Sequence, residues 1–149
     1  MMASPTAPAA SAASPAFAAD SRVARLATVD HAGHPHVVPI CYATDGRAYY
    51  SAIDAKPKRT PPDRLRRVRN IHANPHVALL IDHYEEDWTR LRYLLVQGRA
   101  ELLREGPEWE AARGMLTAKY PQYRSMPLGD GSLLIKITPD RVVGWSGSA

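Results

Sequence analysis

Residues 56–75 read KPKRTPPDRLRRVRNIHANP, a cationic turn followed by a basic pattern with helical spacing. Thr60 is a favourable N-cap, Pro61 suits the first helical position, and Asp63 lies where a capping acid is expected. Leucine, valine and isoleucine recur at helical spacing in this stretch and predict one buried stripe. The helix is predicted to end at Asn74, because a proline follows and disfavours helical geometry in the residue before it.

Two apolar runs flank this basic stretch, and both are typical of strands. They are Ala48 to Ile53 before it and Val77 to Ile81 after it. The second run is continuously apolar, which predicts a strand buried on both faces. A strand that leads into a cationic turn and a helix N-terminus is well suited to a phosphate group. Unpaired backbone N–H groups, the helix dipole and basic side chains converge there.

The residues alone leave three interpretations of the basic stretch open. It could be a solvated helix face without a ligand, a phosphate-binding site or a nucleic-acid patch. No aromatic residue lies between Lys56 and Pro75, and stacking aromatic residues are typical of single-strand binding surfaces. Nucleic acid is therefore the weakest of the three, and we expect no nucleic-acid partner.

Further strands and turns extend outward from this centre. Predicted strands lie at Leu26–Val29, His36–Tyr42, Leu91–Leu103, Leu133–Ile137 and Arg141–Trp145. Asp30–Gly33 and Thr44–Arg47 are predicted turns, Gly98 is predicted to mark a bulge or a corner, and Pro107–Tyr120 is a predicted helix. Six or seven short strands joined by turns around two helices predict a mainly β protein of the α+β class, built as an antiparallel barrel.

Composition limits the class of protein. The chain has 149 residues, a formal net charge of +4 and a pI near 9.4, which permit an anionic small molecule as partner. Residues 1–19 are rich in Ala, Pro and Ser and are predicted to be a disordered tail before a domain spanning residues 20–149. The single cysteine, Cys41, cannot form an intramolecular disulfide. No apolar run reaches the roughly 20 residues that span a membrane, so we expect a cytoplasmic protein without a membrane partner.

Common catalytic and metal-binding motifs are not found in the sequence. There is no G-x-G-x-x-G, Walker-type, G-x-S-x-G or H-E-x-x-H motif. His31, His34 and His36 lack a completed ligand set and are interpreted as polar turn residues. The acidic residues between Asp82 and Asp87 match no calcium loop and predict a solvated hairpin loop. We therefore predict no metal site and assign no catalytic side chain.

Several motifs resemble the pyridoxamine 5′-phosphate oxidase-like split β-barrel proteins. They are Leu26–Val29, Asp30–Gly33 with Pro35, and Asn70-Ile71-x-x-Asn74-Pro75-x-Val77. Three narrower stretches resemble the deazaflavin-dependent oxidoreductases, a branch of that family that uses coenzyme F420. They are Lys56–Lys58, Asp82–Trp88 and Lys119–Tyr123. The similarity covers about Asp20 to Trp145 and implies a split β-barrel of the FMN-binding type.

The resemblance also implies a function and a site. It implies an oxidoreductase that transfers a hydride between F420 and a small-molecule substrate, and a homodimer with the cofactor at the subunit interface. The cofactor-binding residues it implies are Ser51, Ile53, Lys56, Lys58, Arg59, Arg67 and Trp88. In that scheme Lys58 and Arg67 contact the phosphate, with Lys56 and Arg59 as alternative anchors. Ser51 and Ile53 line the ring, and Trp88 approaches from the partner chain.

Two other functions fit the same scaffold and stay open. The first is an oxidoreductase that binds FMN, which also offers a phosphate to the cationic turn. The second is a non-enzymatic protein that binds a flavin, haem or another tetrapyrrole. The longer anionic tail of F420 would gain more from the helix arginines than FMN would, and F420 is therefore preferred.

Overall fold

The computed structural model describes residues 15–53 and 61–148. Within these ranges the strands are β1 (Ala24–Val29), β2 (Pro35–Ile40), β3 (Ala43–Thr44), β4 (Tyr49–Ala52), β5 (His76–His83), β6 (Arg92–Leu103) and β7 (Leu134–Ser146). The α-helices are α1 (Pro15–Asp20), α2 (Arg66–Ala73), α3 (Pro107–Lys119) and α4 (Gln122–Ser125). Two 3-10 helices cover Pro62–Arg64 and Trp88–Arg90. None of the described helices is both long and apolar enough to cross a membrane.

The seven strands form one antiparallel sheet in the order β2-β1-β5-β6-β7-β4-β3. The sheet curls into a half-barrel, so the predicted split β-barrel and the mainly β class are confirmed. The predicted turns are confirmed at Gly33 and Gly46, whose φ values of 85° and 89° favour glycine. Pro39 lies on β2, an edge strand of the sheet, where a residue without a backbone N–H is tolerated.

The core has two parts, one on each side of β4. The larger cluster fills the curl of the sheet and includes Leu26, Ile53, Val68 and Ile137. The smaller cluster packs α3 and the following loop against the sheet and includes Trp109. Because successive residues of a strand point to opposite faces, β4 supplies side chains to both clusters and is buried at every position.

The basic stretch folds differently from its prediction at its start. A 3-10 helix covers Pro62–Arg64, and Leu65 then adopts an extended conformation with φ −60° and ψ 140° before α2 begins at Arg66. The Leu65 side chain packs against the larger core cluster, and Asp63 pairs with Arg104 at 2.5 Å instead of capping the helix. The predicted N-cap, Thr60, lies outside the described residues. The predicted end is confirmed, since α2 stops at Asn74.

Two strand predictions were wrong. Strand β5 alternates between buried and half-exposed positions, because only one of its faces meets the core. The two predicted C-terminal strands are one strand, β7, since a bulge absorbs the interruption at Pro139. In the ladder with β6, Gly98 pairs with Pro139 and Gln97 pairs with Arg141, which leaves Asp140 as the extra residue.

Part of the predicted tail belongs to the fold. Residues Pro15–Asp20 form α1, and Phe17 is buried in the larger core cluster beneath the Arg92 guanidinium, 4.1 Å from the ring centroid. The Tyr42 hydroxyl donates a hydrogen bond to the carbonyl of Ala18. The folded region therefore begins no later than Pro15, and residues 1–14 lie outside the described ranges.

Candidate functional site

The end of β4 and helix α2 meet in the larger core cluster. Ile53 belongs to this cluster together with Val68 and Ile71 of α2. Ser51 is also buried, and its hydroxyl donates a 2.8 Å hydrogen bond to the carbonyl of Cys41. The structure thus places both predicted ring-lining side chains in packed surroundings, close to the helix that carries the predicted phosphate contacts.

Helix α2 is held in place by a buried polar contact. The side-chain amide of Asn70 donates a 2.9 Å hydrogen bond to the Thr28 hydroxyl of β1. Both residues are buried, so the contact satisfies two polar groups that would otherwise be costly inside the core. Thr28 lies near the end of β1, and β1 is antiparallel to β5, so this position is close to the start of β5. The contact therefore fixes α2 at the end of the barrel where β5 begins.

The arginines of the basic stretch differ in burial. Arg67 is partly buried beside Val68, whereas Arg64, Arg66 and Arg69 are exposed. Within the described ranges, no carboxylate pairs with any of these three exposed arginines, so their charges favour an anion. The other predicted anchors, Lys56, Lys58 and Arg59, lie outside the described residues and stay predictions.

Trp88 does not lie near Arg67 within one chain. It begins the 3-10 helix after β5, and its side chain is 67% exposed. Helix α2 precedes the opposite end of β5, an eight-residue strand that spans roughly 25 Å. One cofactor could therefore contact both residues only if they came from different chains.

The outer face of the sheet is apolar along its centre. Its half-exposed and exposed apolar side chains are Ala27, Val37, Ala78, Leu80, Tyr93, Leu95, Val143 and Trp145. The register places Leu95 between Leu80 and Val143, and the Tyr93 and Trp145 rings stack with centroids 5.8 Å apart. We call these eight residues the outer apolar face. Within the described residues no helix or strand covers it, and a patch of this kind marks an interaction surface.

Of the three histidines near the first turn, His34 belongs to a turn that the Asp30 carboxylate closes with hydrogen bonds. The Asp30 carboxylate accepts hydrogen bonds from the backbone N–H groups of His34 and Ala32 and contacts the His34 ring at 3.0 Å. These bonds, led by the one from the His34 backbone, lower the pKa of Asp30 to about 2. Within residues 15–53 and 61–148, no three His, Cys, Asp or Glu side chains group as a metal site would require.

Lys119 and Tyr120 make contacts that could not be predicted from sequence patterns. The Lys119 ammonium donates a 2.7 Å hydrogen bond to the carbonyl of Ser21 and lies 4.0 Å from the Tyr42 ring centroid. Burial, and then the charge of Arg22, lower the pKa of Lys119 to about 8. The partner groups are nearly 100 residues away in sequence, so no local signal could have identified them.

The lowered pKa of Lys119 predicts a pH-dependent stability. Between about pH 8 and the ordinary lysine value of 10.5, the unfolded chain binds more protons than the folded one, so the free energy of unfolding rises with pH. Above about pH 10 the sign reverses, because burial raises the pKa values of Tyr42, Tyr49, Tyr50 and Tyr120 and the folded chain then binds more protons than the unfolded one. We expect the urea midpoint to increase from pH 8 to about 9.5, and Lys119→Gln to remove the increase. Identical pH profiles for the two proteins would contradict this.

Comparison with known proteins identifies the family. The family model described as pyridoxamine 5′-phosphate oxidase matches residues 11–146. The chain belongs to the pyridoxamine 5′-phosphate oxidase family. No curated protein is a significant match to the sequence.

Solved structures of other proteins share the fold of this pyridoxamine 5′-phosphate oxidase family member. A conserved hypothetical protein from Mycobacterium tuberculosis superposes with a TM-score of 0.74 at 19% identity, covering 99% of this chain and 91% of its own. A haem storage protein from Vibrio cholerae superposes with a TM-score of 0.69 at 18% sequence identity, covering 87% of this chain and 89% of its own. An FAD-binding protein from Mesorhizobium loti superposes with a TM-score of 0.62 at 23% sequence identity, covering 86% of this chain and 87% of its own. At these identities the similarity establishes the fold.

Proposed function

We propose that this pyridoxamine 5′-phosphate oxidase family member is an oxidoreductase that binds coenzyme F420 and exchanges a hydride with a small-molecule substrate. The observation that carries the proposal is Arg67, the one partly buried arginine of α2, positioned next to the core cluster that holds the end of β4. The exposed arginines around it leave positive charge uncompensated. An anionic cofactor with a long charged tail suits this surface.

A phosphate-bearing flavin-type cofactor is the ligand that we propose for this surface. Arg67 would hold the phosphate together with Lys56, Lys58 and Arg59, which lie outside the described residues. The side chains of Ser51 and Ile53 are buried, so these residues would border the ring through their backbone. When bound, F420 supplies the ring carbon that gives or receives the hydride. The role of the protein is then to bind, orient and exclude water, and we assign no side chain to acid or base catalysis.

We further propose that the protein is a homodimer formed through the outer apolar face. Apolar side chains on neighbouring strands would be buried by a second copy, with Arg25 and Arg141 at the rim. This arrangement would let Trp88 of the partner subunit approach the cofactor bound at α2, which the length of β5 prevents within one chain. A cytoplasmic location stays a prediction from the sequence.

Two relatives favour alternative ligands on the same fold. The FAD-binding protein from Mesorhizobium loti supports the alternative that this chain binds a flavin. FMN is the flavin that we consider, because it offers a phosphate to the same basic residues. The haem storage protein from Vibrio cholerae supports a non-enzymatic protein that binds haem or another tetrapyrrole. Tight haem binding without any redox turnover would favour that second alternative.

A pair of charge-matched variants tests the cofactor site. We expect Arg67→Gln to weaken F420 binding about tenfold or more, because it removes one charge-assisted hydrogen bond to the phosphate. Arg69→Gln removes the same charge from the exposed side of α2; it should weaken F420 binding less than Arg67→Gln does and should change the affinity for FMN less than threefold, because FMN lacks the charged tail that an exposed arginine would meet. The measurement is titration of F420, and in parallel of FMN, by fluorescence with each purified protein.

The outcomes separate the hypotheses. FMN bound more tightly than F420, with the same loss in Arg67→Gln, would support the flavin alternative. If neither cofactor binds the wild-type protein, the oxidoreductase proposal fails. Equal losses in the two variants would show that α2 acts only through its total charge, and Arg67 would no longer be a specific contact.

A further inference from the structure

A cavity of about 430 Å³ lies on the side of the molecule that carries α3 and α4. It is bordered by the segment before β1, the residue after β2 and the loop that follows α3. The residues that matter here are Arg22, Val23, Cys41, Tyr120, Tyr123 and Met126. Its volume is within the roughly 300–1,000 Å³ typical of small-molecule sites. It shares no residue with the proposed cofactor site.

The cavity walls are apolar and aromatic. Val23, which lies between α1 and β1 in the sequence, is 41% exposed and presents its apolar side chain to the cavity. The Tyr120 and Tyr123 rings meet edge to face, with centroids 6.1 Å apart and planes at 79°. These rings, with Met126, provide a surface on which a flat apolar molecule can pack.

The floor of the cavity is fixed by the Tyr120 hydroxyl. It accepts a 3.0 Å hydrogen bond from the backbone N–H of Tyr42 and lies 2.8 Å from the carbonyl of Arg22, to which it donates. One side chain of the loop after α3 thereby connects the segment before β1 to the residue after Cys41. The cavity walls are held in place before any ligand arrives, and such preorganisation favours binding.

Positive charge lies at the rim without a compensating carboxylate. The Arg22 guanidinium donates a 2.6 Å hydrogen bond to the carbonyl of Lys119 and lies 5.6 Å from the Tyr120 ring centroid. Among the described residues no carboxylate forms an ion pair with Arg22, whereas the Lys119 ammonium, which donates to the carbonyl of Ser21, is not among the residues that line the cavity. An anion at the rim would gain from the charge of Arg22.

We propose that this cavity binds a flat, largely apolar small molecule that carries one anionic group, such as an aromatic carboxylate. The apolar part packs between Val23, Met126 and the two tyrosine rings, and the carboxylate contacts Arg22 at the rim. The ligand class follows from the combination of an aromatic wall and a cation that forms no ion pair with a carboxylate among the described residues, since neither feature alone selects an anion with a ring.

Cys41, the single cysteine of the chain, lies in the cavity wall and reports on occupancy. The experiment measures the rate of Cys41 alkylation by iodoacetamide in the full-length protein, with 1-naphthoate or the neutral 1-naphthamide as probe. We expect saturating 1-naphthoate to slow alkylation at least about fivefold, and half-protection to need about tenfold more 1-naphthamide. Arg22→Gln should abolish this preference for the acid, whereas Arg22→Lys should keep most of it.

A matched control and two contrary results complete the test. Arg47→Gln removes one exposed positive charge from the turn before β4, which does not line the cavity, and should leave the preference for the acid over the amide unchanged. No protection by either probe would overturn the proposal, because the cavity would then not bind a ligand of this class. Equal protection by acid and amide, or a preference that survives Arg22→Gln, would overturn the assigned role of Arg22 and with it the anionic ligand.

Discussion

Gly98→Ala is expected to lower the free energy of unfolding by about 3 kcal/mol or more. A Cβ atom at Gly98 would lie 2.1 Å from the backbone oxygen of Thr138 and 3.0 Å from the Cα of Pro139. Strand β6 is the central strand of seven, paired with β5 on one side and β7 on the other, so it cannot move away. The expected result is a fall in the thermal midpoint of about 10 °C for a domain of this size, measured by circular dichroism.

A second glycine provides the control for this prediction. Gly114 lies in helix α3, and a Cβ added there meets nothing within 4 Å. Gly114→Ala should therefore stabilise the protein by about 0.5–1 kcal/mol, because alanine loses less backbone entropy in a helix. An unchanged stability of Gly98→Ala would mean that the bulge between β6 and β7 relaxes easily, and that its geometry is not a requirement of the fold.

Leu95→Glu is expected to convert the proposed homodimer to a monomer. Leu95 lies at the centre of the outer apolar face, between Leu80 and Val143 in the register. A carboxylate buried there by a second copy would have no partner, and the dissociation constant should rise at least about a hundredfold. The side chain is already half-exposed in a single chain, so the fold itself should persist. Sedimentation velocity over a range of concentrations measures the change.

The same variant tests the connection between assembly and cofactor binding. If Trp88 of the partner subunit completes the site, Leu95→Glu should also weaken F420 binding, although Leu95 is not among the proposed cofactor contacts. Ala111→Glu adds an equal charge on the exposed side of α3 and should affect neither assembly nor binding. A wild-type protein that sediments as a monomer at all concentrations would refute the dimer, and undiminished F420 binding by a monomeric variant would refute the role of Trp88.

Local signals predicted the turns and most strands well. These signals act over only a few residues: they are the glycines with positive φ, the alternation of apolar residues and the proline after Asn74. The structure has the expected turns, strands and helix end at these places. The sequence also placed the β6 bulge at Gly98, although the extra residue, Asp140, lies on the opposing strand. Pro139 led to the prediction of two separate C-terminal strands. A local pattern cannot show that a bulge in the pairing with β6 accommodates this proline within one strand.

Contacts between distant residues could not be predicted. Phe17 stands alone in an Ala/Pro/Ser-rich segment, and its burial depends on the open mouth of a barrel built from later residues. The Tyr120 hydroxyl bonds to Tyr42, 78 positions earlier. Of the candidate site, Arg67 is implied by the family resemblance and not singled out by the basic pattern, and its partial burial depends on how α2 packs over β1. The cavity beside Cys41 had no sequence signal.

The two edges of the sheet have a further consequence for the behaviour of the protein in concentrated solution. Strand β3 is only two residues long, and β2 carries prolines at both 35 and 39, which cannot donate to an incoming chain. Short edge strands and edge prolines disfavour the addition of a foreign strand at either border, and with it fibrillar growth through the native state. The dimer that we propose, formed through exposed apolar side chains on a sheet face, would then have little tendency to polymerise along the borders of the sheet.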